Sequence, residues 1–214
     1  MAKIICLANS YKHGGRCIAG IDQDTGKWIR PVPYTKDRAI TNPMMLIDGK
    51  EPKPLDIVEI PIEDFGPDEG CQPENRWLKP SKWKNIGRIT AQDLISYCES
   101  DTVILHTHQE YVLPEFFTNH PKTEWRSLQL VHKQTVNFNL DSFDSNKWRV
   151  FLYDGKGILL DLKLTDPVIL NRLRNNEKIS KNCILTVSLA TPWSPEGSNQ
   201  PKRCYKMVAG VVEL

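Results

Sequence analysis

Residues 147–164, KWRVFLYDGKGILLDLKL, indicate the fold more clearly than any other part of this 214-residue chain. Two runs with alternating side-chain character flank the segment 154–157, which is Asp-Gly-Lys-Gly. Alternation with a period of two is typical of strands with one buried face, and Asp-Gly favours a tight hairpin turn. We therefore predict two antiparallel strands, over residues 147–153 and 158–164.

The hairpin has one apolar face and one mixed face, because successive side chains of a strand point in opposite directions. The apolar face is the predicted core and consists of Trp148, Val150, Leu152, Ile158, Leu160, Leu162 and Leu164. The mixed face consists of Lys147, Arg149, Phe151 and Tyr153 on the first strand and Leu159, Asp161 and Lys163 on the second.

The residues around the hairpin complete a strand order. We predict a strand over residues 128–138, and a helix capped by Thr165 or Asp166 with Pro167 in its first turn. Two final strands are predicted over residues 183–190 and 203–214. The order β-β-β-α-β-β is that of an OB-fold, a five-stranded Greek-key barrel. Other small barrels and α+β folds can also produce this order.

The first half of the chain also favours short strands. They are predicted over residues 4–8, 16–22, 27–34 and 56–62. Residues 111–127 contain Pro114 and Pro121 and are predicted to be a linker. The predicted fold class is therefore mainly β with short helices, of the β-barrel type, with one domain over residues 1–110 and another over residues 128–214.

Four stretches of the chain resemble a known family. They are KIICLANS at 3–10, GGRCIAG at 14–20, GKWIRPV at 26–32 and CYKMVAGVV at 204–212. Together they resemble the dual OB-containing domain family over essentially the whole chain. The resemblance implies two OB-like barrels in tandem and a nucleic-acid-binding role, often near prokaryotic conflict or defence genes. Arg16, Trp28 and Arg30 lie inside the matching motifs and are therefore the expected ligand contacts of the first barrel.

The mixed face of the hairpin is the predicted nucleic-acid site of the second barrel. Cations can follow phosphates, and aromatic rings can stack on bases with about 1–3 kcal/mol for each base. The expected contacts are Lys147, Arg149, Phe151, Tyr153 and Lys163, together with Trp193, Lys202 and Arg203 from the loop between the last two strands. The alternative is that Phe151 and Tyr153 cover a contact between domains.

Two other basic segments lie in the first half. The Gly-Gly loop at residues 12–16 could bring backbone N–H groups to a phosphate, or could be an ordinary tight turn. Residues 76–88 form either an electrostatic patch or a solvated loop whose tryptophans fill the core. This second segment contains Arg76, Trp77, Lys79, Lys82, Trp83, Lys84 and Arg88.

Charge and composition narrow the class of protein. The net charge is only +2, and residues 54–70 contain six acidic and no basic side chains. No apolar run approaches the roughly 18 residues that cross a membrane. None of the six cysteines forms a C-x-x-C pair. We therefore expect reduced thiols, no metal, no cofactor, no membrane partner and a cytoplasmic location.

Enzymatic alternatives rest on two short patterns. Asp161-x-Lys163, preceded by Asp154, imitates the acidic-x-Lys pattern with which nucleases hold a metal ion and position water. However, Asp154 lies in the tight turn and no glutamate-bearing helix precedes it. His106-x-His108 would place two imidazoles on one side of a strand, a spacing that can bind metal, but no third ligand is evident nearby.

We therefore predict a non-catalytic protein that binds single-stranded DNA or RNA. The resemblance adds an expected role as a recognition component of a prokaryotic defence system, with an effector protein as a further partner. Two alternatives remain open: a metal-dependent nuclease that uses Asp161 and Lys163, and a protein–protein adaptor. In the adaptor, acidic residues 54–70 would pair with basic patches of another molecule.

Overall fold

The structure is a computed structural model that describes residues 1–12, 14–100 and 102–214. His13, within the predicted Gly-Gly loop, lies outside the described residues. The described residues form two β-sheets and four short helices. The helices are α1 (Asn42–Met45), α2 (Ala91–Leu94), α3 (Pro114–Asn119) and α4 (Pro167–Arg174). No helix in these residues is long and apolar enough to cross a membrane.

The first sheet closes into a barrel, which we call the first barrel. Its strands are β1 (Ala2–Lys12), β2 (Gly15–Asp22), β3 (Trp28–Val32), β4 (Asp56–Ile60), β5 (Asn75–Trp77) and β6 (Lys84–Arg88). Their order is β5-β3-β2-β1-β4-β6, and β3 and β5 are parallel. A bridge between Ile62 and Leu78 joins the end of β4 to the end of β5 and completes the circle.

The second sheet forms the second barrel. Its strands are β7 (Tyr111–Val112), β8 (Leu128–Lys133), β9 (Asn137–Leu140), β10 (Trp148–Tyr153), β11 (Leu159–Leu164), β12 (Cys183–Leu189) and β13 (Cys204–Glu213). The order is β8-β12-β13-β11-β10-β9, and β7 pairs with β13. Because only residues 134–136 separate β8 from β9, the two ends of this path meet and the sheet curls round.

The hairpin prediction is confirmed, with Leu152 opposite Leu160 in an antiparallel pair. Asp166 caps α4, since its carboxylate accepts hydrogen bonds from the N–H groups of Val168 and Ile169. Two details differ from the prediction. The single strand predicted over residues 128–138 is two strands, β8 and β9, and Ile158 is exposed because it lies in the turn before β11 begins.

The predicted linker region carries structure of its own. It contains β7 and α3, and Phe117 of α3 is buried in the core of the second barrel. Ile104 and Leu105 belong to the same core. The apolar packing of the second barrel thus reaches residues that precede the predicted linker. The domain limits at residues 110 and 128 remain a prediction.

The two barrels share a core along β1. Its apolar run is buried on both faces, with Ile4 and Cys6 in the core of the first barrel. Ile5 and Leu7 face the other way and pack with Leu130 and other residues of the second barrel. A strand covered on both faces has a nearly continuous apolar sequence, which explains the run at residues 4–8.

Candidate nucleic-acid interface

Three neighbouring strands of the second barrel bring the mixed face of the hairpin together with β13. Arg149 on β10 lies opposite Lys163 on β11, and Lys163 lies opposite Met207 on β13. Side chains two residues apart on a strand share a face. Phe151 and Tyr153 therefore lie on the same face as Tyr205 and Arg203.

Strand β7 extends this face with another aromatic ring. Tyr111 pairs with Tyr205 across β7 and β13, and their ring centroids are 6.1 Å apart. Arg203 holds its guanidinium 4.3 Å from the centroid of the Tyr111 ring. This cation–π contact places a positive charge beside two aromatic rings.

The loop between β12 and β13 adds Trp193 to the face. Backbone hydrogen bonds in both directions join Trp193 to Arg203, at 3.0 and 2.8 Å. These bonds fix the base of the loop, so that the Trp193 ring lies 6.1 Å from that of Tyr205 while remaining 55% exposed. We call the assembled surface the basic-aromatic face. It consists of Tyr111, Arg149, Phe151, Tyr153, Lys163, Trp193, Lys202, Arg203 and Tyr205.

Some cations on and beside this face are paired with carboxylates, and others are not. Arg149 donates from Nε to Asp161 Oδ1 at 2.7 Å and from Nη2 to the Asp161 carbonyl at 2.8 Å. Lys147 is exposed beside Asp144, 2.8 Å away, and this hydrogen bond raises the pKa of Lys147. Lys163 and Lys202 are exposed and make no ion pair with any residue that the structure describes. The available positive charge thus comes from Lys163, Lys202 and Arg203.

The family model of the dual OB-containing domain matches residues 2–211, which span both barrels. The chain belongs to the dual OB-containing domain family. Comparison with curated proteins and with solved structures returned no match. In this dual OB-containing protein, the predicted fold class of two OB-like barrels in tandem is confirmed by the family match and the two sheets.

The corresponding face of the first barrel is covered by the second barrel. Arg30 on β3 is an expected ligand contact, but only 1% of the residue is exposed, so a ligand cannot reach it in this structure. Its Nη1 donates to Asn75 Oδ1 at 3.2 Å and to Ser127 Oγ at 3.1 Å, and its Nη2 donates to Ser188 Oγ at 3.1 Å. Arg30 therefore joins the two barrels.

The other two expected contacts of the first barrel are also engaged within this dual OB-containing protein. Trp28 is partly buried. It packs against two apolar clusters between the barrels, one that contains Ile5 and Leu130 and one that contains Ala8 and Leu128. Arg16 makes two hydrogen bonds to the carboxylate of Glu51, at 3.0 and 3.2 Å, and its guanidinium lies 4.5 Å from the centroid of the Tyr11 ring.

The carboxylates of the nuclease pattern do not converge. Asp161 is engaged by Arg149, whereas Asp154 Oδ2 lies 2.5 Å from His108 Nδ1. Burial alone would raise the pKa of Asp154, but hydrogen bonds from His108 and from the N–H groups of Ile158 and Lys156 lower it. No group of three His, Cys, Asp or Glu side chains in the described part of the chain could hold a metal ion.

The expected strand with His106 and His108 on one side is also wrong. Leu105 and His106 have positive φ angles, 46° and 72°, so the chain turns here. His108 lies beside Asp154, and His106 Nε2 lies 2.8 Å from the carbonyl of Arg126.

Sequence reasoning missed two rings of the basic-aromatic face, those of Tyr111 and Tyr205. Tyr111 lies in the region predicted to be a linker, and its strand has only two residues. Tyr205 had a usable signal, because it lies on the predicted last strand two residues after Arg203, which is an expected contact, and residues two apart on a strand share a face. Extending the face assignment from the hairpin to the last strand would have found it.

Proposed function

We propose that this protein binds single-stranded nucleic acid through the basic-aromatic face, without catalysing a reaction on it. One observation carries the proposal: five aromatic rings and four cations of the second barrel lie on one surface, across strands β10, β11, β13 and β7. In an OB-fold, strands 2 and 3 and the adjoining loops are the usual ligand surface. Here β10 and β11 are those strands, and Trp193 lies in an adjoining loop.

The chemistry of this face suits single strands better than duplexes. Tyr153 is 51% exposed and Trp193 is 55% exposed, so both rings can stack on unpaired bases. Lys163 and Arg203 lie on the same face as the rings, and Lys202 is exposed beside Arg203 in the chain, so all three can contact phosphates. Bases of a duplex are already stacked on each other and present only their edges, which rings of this kind do not read.

The family resemblance supports a proposed biological role for this binding. We propose that the protein is a recognition component of a prokaryotic defence system, acts in the cytoplasm and has an effector protein as a second partner.

Fluorescence anisotropy with labelled oligonucleotides of about 12 nucleotides tests the proposal, since OB-folds contact about 4–16 nucleotides. Single- and double-stranded DNA and RNA are compared between about 50 and 200 mM salt. We expect tighter binding of a single strand, and a slope of log K against log salt of about −0.7 for each phosphate neutralised. Absence of binding to all four ligands at the lowest salt would reject the proposal and favour an adaptor.

Two variants locate the site. Tyr153→Ala with Trp193→Ala removes two exposed rings and should weaken binding at least tenfold, given about 1–3 kcal/mol for each stacked base. Phe65→Ala is the matched control, because Phe65 is also an exposed ring but lies on the first barrel, in the acidic segment. Equal affinity of the double variant and the control would place the site elsewhere on the protein.

A further inference from the structure

The first barrel contains a cavity that shares no residue with the basic-aromatic face. Its volume is about 790 Å³, within the range of about 300–1,000 Å³ that is typical of small-molecule sites. Three segments line it: residues 33–35 after β3, residues 43–44 and 46–48 around α1, and residues 78–83 between β5 and β6. It therefore includes part of the segment in which basic residues alternate with tryptophans.

An aromatic platform stands at this cavity. The ring of Tyr34 stacks on that of Trp77 with centroids 4.1 Å apart and an interplanar angle of 12°. The guanidinium of Arg38 lies 4.6 Å from the centroid of the Trp77 ring, and Arg38 Nε donates to Glu69 Oε1 at 3.2 Å. One face of the Tyr34 ring is thus occupied, while the residue remains 65% exposed. A further planar ring can extend this stack without reorganisation of the protein.

Two polar groups of the lining residues have no partner. Trp83 is 4% exposed, and its indole Nε1 has no hydrogen-bond acceptor among the residues that the structure describes. The hydroxyl of Thr35 is likewise buried and unpaired within the described chain. Buried polar groups are nearly always hydrogen-bonded in native proteins, so each exception calls for an explanation. Both atoms are covered by protein, so a ligand with its own donors and acceptors can pair with them once the two side chains turn toward the cavity.

One lysine at the cavity has no ion-pair partner among the described residues. Lys79 and Lys82 line the cavity, opposed by the single carboxylate of Asp48. Lys79 Nζ lies 3.3 Å from Glu63 Oε2, so part of its charge is neutralised. Lys82 is exposed and makes no ion pair with any described residue. One cation at the cavity is therefore available to an incoming negative group.

We propose that this cavity binds a nucleotide, with the base on the free face of Tyr34 and the phosphate beside Lys79 and Lys82. The ring platform matches the base of a nucleotide. The unpaired donor and acceptor groups match the polar atoms of the base and sugar, and the nearby cation matches the phosphate. A free mononucleotide and the terminal nucleotide of a nucleic-acid strand share this chemistry. The proposal does not depend on the basic-aromatic face, because the two surfaces are separate.

Isothermal titration calorimetry of the full chain tests the proposal. The probes are the four nucleoside 5′-monophosphates, adenosine and inorganic phosphate, each up to about 1 mM. We expect at least one monophosphate to bind more tightly than adenosine or phosphate. Tyr34→Ala should weaken that binding roughly tenfold, whereas Tyr34→Phe, which keeps the ring, should retain it. Lys82→Glu should weaken binding of the monophosphate and leave that of adenosine unchanged.

A second arm separates the two sources of the ligand. Oligonucleotides with and without a 5′-phosphate are titrated against the Tyr34→Ala and Tyr34→Phe variants. If strands but not mononucleotides bind in a manner that depends on Tyr34, the ligand is the end of a strand. If mononucleotides bind in this manner, it is a free nucleotide. The proposal is overturned if nothing binds, or if all binding is insensitive to Tyr34 and Lys82.

Failure of this proposal is distinguishable from failure of the strand-binding function. The variant Tyr153→Ala with Trp193→Ala should leave mononucleotide binding unchanged. Loss of mononucleotide binding in that variant would show that the nucleotide lies on the basic-aromatic face, and would overturn the cavity as its site.

Discussion

The carbonyl oxygen of Leu7 lies only 2.0 Å from the position that a Cβ atom would occupy on Gly210. Strands β1 and β13 therefore cross in direct backbone contact, and this contact joins the two barrels. Thr186 Oγ1 donates a hydrogen bond to the same carbonyl at 2.8 Å. Any side chain at position 210 must push the barrels apart or break this hydrogen bond.

We predict that Gly210→Ala lowers the free energy of unfolding by about 2 kcal/mol or more, through steric overlap at a packed contact. Urea unfolding measures the change. Gly197→Ala is the control: its Cβ would meet no atom within 4 Å, so it carries only the strain of a φ angle of +73°. That strain costs about 1 kcal/mol. Equal losses in the two variants would contradict a tight crossing of β1 and β13.

Arg30 provides a second test of the contact between the barrels. Arg30→Met removes the donors that reach Asn75, Ser127 and Ser188, and leaves buried acceptors unpaired. We expect a loss of about 1–3 kcal/mol in the free energy of unfolding. Arg174→Met, at an exposed arginine of α4, should change it by less than about 0.5 kcal/mol.

Nucleic-acid affinity distinguishes this role of Arg30 from ligand contact. Under conditions in which Arg30→Met is folded, we expect its affinity for single strands to equal that of the unchanged protein. If the folded variant binds single strands clearly more weakly, Arg30 contacts the ligand.

Much of the second barrel could be predicted from sequence, because its signals are local. The Asp-Gly turn after Tyr153, the alternation through Leu160 and Leu162, and the cap at Asp166 each depend on a few neighbouring residues. The parallel pairing of β11 with β13 depends on contacts between distant residues such as Lys163 and Met207. No local pattern in the sequence predicts that pairing.

The candidate site was predicted less well, because alternation shows which residues share a face but not what covers that face. Arg30 and Arg149 each have one aromatic residue two positions away, Trp28 and Phe151 respectively. The second barrel covers the face of Arg30, whereas the face of Arg149 remains open. That difference arises from contacts across nearly 160 positions, such as that of Arg30 with Ser188.

The ion pair between Arg149 and Asp161 predicts a gain of affinity on mutation. Asp161→Asn removes the nearer of the two carboxylates beside the guanidinium, whose Oδ1 lies 2.7 Å from Nε, and leaves Asp141 Oδ2 at 3.8 Å, so more of the Arg149 charge becomes available to a phosphate. We expect tighter binding of single strands and about one additional phosphate contact in the salt dependence, measured by anisotropy between about 50 and 200 mM salt. Asp144→Asn, which releases the exposed Lys147 instead, is the comparison. Weaker binding by Asp161→Asn would mean that Asp161 itself contacts the ligand.

Lys206 predicts a dependence of stability on pH. The residue is 2% exposed, its Nζ donates to the Thr107 carbonyl at 2.6 Å, and burial lowers its pKa to about 7. In the unfolded chain a lysine titrates near 10.4. Between these two values the unfolded chain binds more protons than the folded one, so this residue makes the protein more stable as the pH rises from about 7. As the pH falls toward 7, this stability is lost.

Lys206→Met should remove that dependence, and urea unfolding at about pH 7 and about pH 8.5 measures it. From Lys206 alone, the unchanged protein should gain at most about 1.4 kcal/mol for each pH unit, and the variant should gain clearly less. Buried thiols such as Cys6, whose pKa burial raises to about 12, act in the opposite direction at higher pH. They are common to both proteins, so the difference between the proteins isolates Lys206. Lys156→Met, at an exposed lysine of the hairpin turn, is the control and should behave as the unchanged protein does. The same pH dependence in all three proteins would show that Lys206 is charged in the folded state.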